Sequence, residues 1–151
     1  MNLLDVNVLV YAFRADAERH KEYRRWLLGL VNGESAFGLA EQALAGLVRV
    51  STHPKVFRQP SRTDEALAFV DALLVHPSCR VVRPTPAHWS LFATLCRRGN
   101  AKGNLVSDAW FAALAIESGC TWVTTDRDYS RFPRLRWRHP LDDEREIENP
   151  E

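Results

Sequence analysis

The sequence predicts an α/β protein, a three-layer α/β/α domain around a central parallel sheet, and three observations carry that prediction. Short β-rich runs alternate with amphipathic stretches of helical period along the whole chain. Gly, Pro and Asn-Gly punctuation separates them. Two of the β-rich runs, Met1–Leu4 and Thr121–Thr125, each give way to an acid, as strands do when a ligand site lies beyond the carboxyl ends of a parallel sheet. At 151 residues and 46% hydrophobic content, the chain can bury one proper core, and it contains no internal repeat or low-complexity tract.

Met1–Leu4 reads as a first strand closing on Asp5, and VNVLVYAF follows with Val6, Leu9, Val10 and Phe13 at helical spacing. A second helix is expected over 16–32, striped by His20, Tyr23, Trp26, Leu27, Leu30 and Val31 and stopped by Asn32-Gly33. Ser35–Phe37 is a candidate short strand. Leu39–Val50 is a third helix with Leu39, Ala43, Leu47 and Val50 inward and Glu41 in its opening turn, where the helix dipole favours an acid. A Pro-punctuated loop runs to Ser61, Thr63 is placed to cap a helix over 64–75, and Cys79–Val82 reads as a strand. Pro86 suits the first position of the next helix, which turns Trp89, Phe92, Leu95 and Cys96 inward.

The stretch Asn104–Asp128 organises the rest. Asn104 can cap a helix in which Val106, Ala109, Trp110, Ala112, Ala113, Leu114 and Ile116 leave hardly any polar face, so Asp108 is expected near the interior. Gly119 stops that helix, Thr121–Thr125 reads as a strand, and Asp126 falls where the strand finishes. Leu135–Arg138 is expected as a last edge strand. The domain is drawn as residues 1–140, with 141–151 as an acidic, frayed tail.

Composition narrows the function. Three cysteines without CxxC spacing give neither a disulfide framework nor a zinc site, which fits a reduced, cytoplasmic setting. No basic leader and no run of about 18 apolar residues is present, so neither export nor a membrane span is expected. The net charge of +1 hides an asymmetry: residues 141–151 hold six acids against one arginine, leaving 19 basic and 13 acidic residues before them. The arginines cluster at Arg24-Arg25, Arg97-Arg98 and from Arg127 to Arg138, a distribution that suits a phosphate-rich partner as well as a solvated surface.

The chemistry rests on acids. Asp5, Glu41, Asp108 and Asp126, with Asp128 as a possible fifth, each have a plain structural role as a cap, a dipole partner or a turn residue. Their joint placement at strand ends and helix starts points instead to one carboxylate site. Gathered carboxylates repel and need protons, arginines or a hard cation; Mg2+ or Mn2+ would use such oxygens and support phosphodiester hydrolysis. The five histidines show no HxxxH or HExxH spacing, and GxSxG and GxGxxG are absent. A phosphotransfer receiver would need an Asp on a middle strand and a late Lys, and a haloacid-dehalogenase-type phosphatase would begin DxDGT; neither pattern is here.

LLDVNVLV around Asp5 and Asn7, Glu41 followed by AGLVRVSTHP, GNLVSDAWFAALAIESG and TTDRDYSRFPRLRWRHP together resemble the PIN-domain family, specifically VapC-type toxins, from Leu3 to Pro140. The resemblance implies a Mg2+- or Mn2+-dependent endoribonuclease acting on tRNA or rRNA, held inactive by a VapB-type antitoxin, and usually homodimeric. It carries the catalytic and metal-binding roles onto Asp5, Glu41, Asp108 and Asp126, with Asp128, Thr124 and Asn7 as accessory residues. Tyr129 stands where many relatives have Phe, a change expected to affect loop packing and not chemistry. Tyr11, Trp26 and Trp110 read as core, or else as the lining of a groove for the antitoxin's tail. The rival function is a PIN-like module that binds RNA or a partner without cutting.

Overall fold

The computed structural model of the chain describes residues 1–142. Five parallel strands, β1 (Asn2–Leu4), β2 (Phe37–Leu39), β3 (Cys79–Val81), β4 (Thr121–Val123) and β5 (Trp137–Arg138), form one sheet in the order β3-β2-β1-β4-β5. Among the described residues six helices connect and cover it: α1 (Val6–Phe13), α2 (His20–Val31), α3 (Glu41–Ser51), α4 (Thr63–Leu74), α5 (His88–Gly99) and α6 (Asn104–Ser118). A five-residue 3-10 helix, Arg127–Arg131, bridges β4 to the last strand.

The pleat explains the layers. Successive strand residues point to opposite faces, so Leu3 and Trp122 enter the core under α5 and α6, while Leu4 and Val123 enter the core shared with α1, α2 and α4. All four are fully buried. The expected doubly covered parallel sheet is therefore present, with β1 and β4 at its middle, paired Asn2 to Thr121, Leu3 to Trp122 and Leu4 to Val123.

Several boundaries moved. β2 lies two residues beyond the expected Ser35–Phe37, because Phe37, Gly38 and Leu39 are all buried between neighbouring strands and pair with Cys79, Arg80 and Val81. That gives Leu39 to the strand and starts α3 at Glu41. α2 begins at His20, after Arg19 takes a left-handed φ of 57° that breaks any continuous helix from Asp16. Thr63 and Asn104 are the first residues of their helices, not side-chain caps. Gly119 ends α6 at φ 67°, as expected of a glycine stop.

Of the acidic tail, Leu141 is buried in the core and Asp142 forms a two-pronged pair with Arg127; residues 143–151 lie outside the described residues. The three cysteines are free, and no helix among the described residues is long and apolar enough to cross a membrane.

Candidate active site

The central pairing of β1 with β4 brings two acids from opposite ends of the chain together. The Asp5 backbone N–H continues the ladder by donating to Val123 O at 3.0 Å, so the chain passes from strand into α1 with Asp5 as the N-cap. Its Oδ1 accepts the Val6 N–H at 2.6 Å, and its Oδ2 accepts the Thr124 hydroxyl at 2.6 Å. Thr124 is fully buried, and its Oγ1 also accepts the Asp126 N–H at 3.0 Å. Asp126 in turn caps the 3-10 helix, taking the Asp128 N–H on Oδ1 at 2.9 Å. One hydroxyl thus fixes both acids.

Asp108 arrives from α6. Positions 104, 107, 108 and 111 share one face of a helix, and Asn104, Ser107, Asp108 and Phe111 all line a cavity of about 300 Å³ together with Asp5, Asn7, Arg49, Asp126 and Tyr129. Tyr129, buried on the 3-10 helix, donates its hydroxyl to Asp108 Oδ1 at 3.4 Å. This corrects the expectation that Tyr129 affects only loop packing: its phenol is part of the site. Burial raises its pKa and keeps it a donor.

Electrostatics show that the buried acids of the cavity are held against their preferred ionisation. Burial, reinforced by the charges of Asp108 and Asp126, pushes the Asp5 carboxyl up to about 6 against the lowering hydrogen bonds from Thr124 and Val6. Burial and the Asp126 charge also raise Asp108. A group of carboxylates held at this cost is a functional-site signal.

The structure does not bring Glu41 to this cavity. It is the exposed first residue of α3, paired with Arg83 beyond β3 through contacts of 2.8 and 3.2 Å. Arg49, eight residues further along α3 and so about 12 Å down its axis, is the charged residue of that helix that lines the cavity. Asp128 is exposed and contributes its backbone N–H to Asp126. Sequence reasoning missed Arg49, Ser107 and Asn104; the last two were readable from their helical spacing to Asp108.

Beside the acids, Val6, Gln42, Gly46, Arg49, Val106 and Trp110 line a groove of about 630 Å³ between α3 and α6. Trp110 donates Nε1–H to Gln42 Oε1 at 2.8 Å, so it belongs to this wall as well as to the core. The Tyr11 ring packs tilted against Tyr23 at 5.1 Å, and Trp26 lies half-buried beneath the Arg138 guanidinium.

Comparisons with known proteins agree with this geometry. The PIN-domain family model matches residues 3–135. Ribonuclease VapC43 of Mycobacterium tuberculosis is 46% identical over 142 residues, spanning 94% of this chain and 97% of that protein. Ribonuclease VapC31 of the same species is 36% identical over 140 residues, 93% of this chain and 99% of its own. Among solved structures, VapBC2 from Rickettsia felis bound to a promoter DNA fragment superposes with a TM-score of 0.66 at 21% identity, covering 91% of this chain and 97% of that one. The M. tuberculosis toxin VapC20, which cleaves the sarcin-ricin loop, gives 0.63 at 16% identity, covering 87% and 94%. On the family match and the 46% relationship, the chain belongs to the PIN-domain family, among its VapC ribonucleases.

Proposed function

We propose that this protein is a metal-dependent endoribonuclease toxin that hydrolyses phosphodiester bonds in cellular RNA at the Asp5–Asp108–Asp126 cavity, and that a VapB-type antitoxin holds it inactive. The single observation that carries the reading is the convergence of these three carboxylates, from β1, α6 and the end of β4, on one cavity at a cost in buried charge. The oxygen-only donor set fits a hard divalent ion, Mg2+ or Mn2+. Among the described residues no group of three His, Cys, Asp or Glu side chains is placed to hold a metal ion by itself. An ion here would accordingly be held by one or two carboxylates and complete its shell with water and substrate phosphate.

Such an ion, when bound, would supply Lewis-acid charge to the phosphate and would activate a water near neutral pH. The protein's own residues set the geometry. Thr124 and the Val6 N–H fix the rotamer of Asp5, Tyr129 orients Asp108, and the Asp128 N–H orients Asp126. Arg49 faces the acids across the cavity, where its guanidinium can grip a non-bridging phosphate oxygen. Asn7 adds a polar edge. The apolar groove carrying Trp110 opens beside the same residues and suits an antitoxin segment that covers the acids by lying over it.

The test is cleavage of end-labelled total tRNA and rRNA by the purified protein with Mg2+ or Mn2+ against EDTA, beside Asp108→Asn prepared identically. Discrete metal-dependent cuts absent from the variant are expected. Equal products from both proteins, or none, would favour a binding module that does not cut.

A further inference from the structure

A second concavity, of about 430 Å³, lies between the end of α5 and the segment after the 3-10 helix, lined by Leu95, Arg98, Arg131, Phe132, Pro133 and Arg134 together with Gly99. No acid lines it. Arg14, Arg19, Arg83 and Arg127 each have a carboxylate partner. Arg98, Arg131 and Arg134 have none within ion-pair distance among the described residues, yet they come together from two separate segments. Guanidinium groups converging without a counter-charge are complementary to an anion, and a floor of Leu95, Phe132 and Pro133 offers apolar contact to a flat ring or sugar.

The 3-10 helix links this concavity to the acids. The 3-10 helix is capped by Asp126 at one end and carries Arg131 at the other, about 10 Å apart at its rise of about 2 Å per residue. Phe132 packs on Tyr129 at 6.0 Å, and Tyr129 donates to Asp108. Arg131 is also close enough for its charge to act on the Asp108 carboxyl.

The geometry points to a nucleotide-binding subsite: Arg98, Arg131 and Arg134 hold the backbone phosphates of a substrate RNA nucleotide flanking the scissile bond, with its base or ribose against Leu95, Phe132 and Pro133. The assignment rests on the ribonuclease reading above, and it concerns where the strand runs, not how it is cut. The arginines here are binding residues.

The experiment measures binding of a fluorescein-labelled single-stranded oligoribonucleotide in EDTA, where cutting is not read, across a range of salt. It compares the wild type with Arg98→Ala/Arg134→Ala and with Arg24→Ala/Arg25→Ala, two exposed arginines of α2; thermal melting verifies that each variant is folded. The first variant should bind about 10-fold or more weakly, and the slope of log K against log salt should fall by about 1.4, the value for two single-strand phosphate contacts. The α2 variant should keep the wild-type affinity and slope. Equal affinity and slope in the Arg98→Ala/Arg134→Ala protein would overturn the subsite. So would equal RNA binding joined to loss of a protein partner from the co-expressed complex, since the cavity would then be a protein-docking surface. Binding that depends on these arginines in a protein that never cuts RNA would overturn the hydrolase reading alone.

Discussion

Thr124 Oγ1 donates to Asp5 Oδ2 at 2.6 Å across 119 residues of sequence, and Thr124 Oγ1 itself accepts the Asp126 N–H at 3.0 Å. Thr124→Val keeps the shape and removes both bonds. The buried Asp5 carboxylate then loses a donor, which costs about 1–3 kcal/mol, and metal affinity or cleavage should fall roughly 10- to 100-fold, as for lost outer-shell partners elsewhere. Denaturant melts and Mg2+ titrations of cleavage read the two effects separately. Unchanged cleavage would remove Thr124 from the site.

Asp5→Asn should abolish metal-dependent cleavage while stabilising the metal-free protein. The buried carboxyl titrates at about 6 when folded and near its ordinary 3.8 when unfolded. Between those values the folded state binds more protons than the unfolded one, so stability falls as pH rises from 4 to 6.5. Asparagine removes that loss. Melts in EDTA should show the variant's advantage growing across this window to the order of 1–3 kcal/mol; an advantage constant with pH would contradict a buried, uncompensated charge.

Arg49 and Glu41 give opposite expectations. Arg49→Ala should raise KM for RNA about 10-fold, the scale of one charge-assisted phosphate contact, with little change in melting temperature because the side chain is exposed. Glu41→Gln breaks only an exposed pair with Arg83 and should leave cleavage within about twofold, as exposed ion pairs contribute little. Steady-state kinetics on one oligoribonucleotide settles both. A Glu41→Gln protein that no longer cuts would restore Glu41 to the metal site.

Gly46→Ala tests how α3 seats against the start of α1. A Cβ at residue 46 would stand 2.9 Å from Val6 Cγ2. Moving Val6 displaces the residue next to Asp5, so the variant should lose about 1–3 kcal/mol of stability and also cleavage. Restoring both with Val6→Ala in the same chain would confirm that the close approach is the cause.

Much of this site was legible because its signals are local. Asp5 and Asp126 follow apolar runs, and Asp108 interrupts an otherwise apolar helix; each can be seen without knowing what lies opposite. Which residue of α3 faces those acids depends on where that helix begins and how it crosses α1. The strand β2 took Leu39, the helix started at Glu41, and Glu41 was left two turns from the cavity that Arg49 reaches. In the sequence Tyr129 shows only as a packing residue, because its hydroxyl has a role only once β4 and α6 are side by side. The Arg98 and Arg134 cavity was visible only as charge, since nothing in the sequence says that the end of α5 meets the segment after the 3-10 helix.

The position of β1 between β2 and β4 also has a consequence in time. While the ribosome is still making this chain, Asp5 emerges first, but the hydroxyl that holds it and the acid that faces it belong to residues 124 and 126. Such a distant pairing cannot form until both strands are available. A nascent chain halted before β4 lacks both Thr124 and Asp126, so the cavity proposed for hydrolysis takes shape only when synthesis is nearly complete.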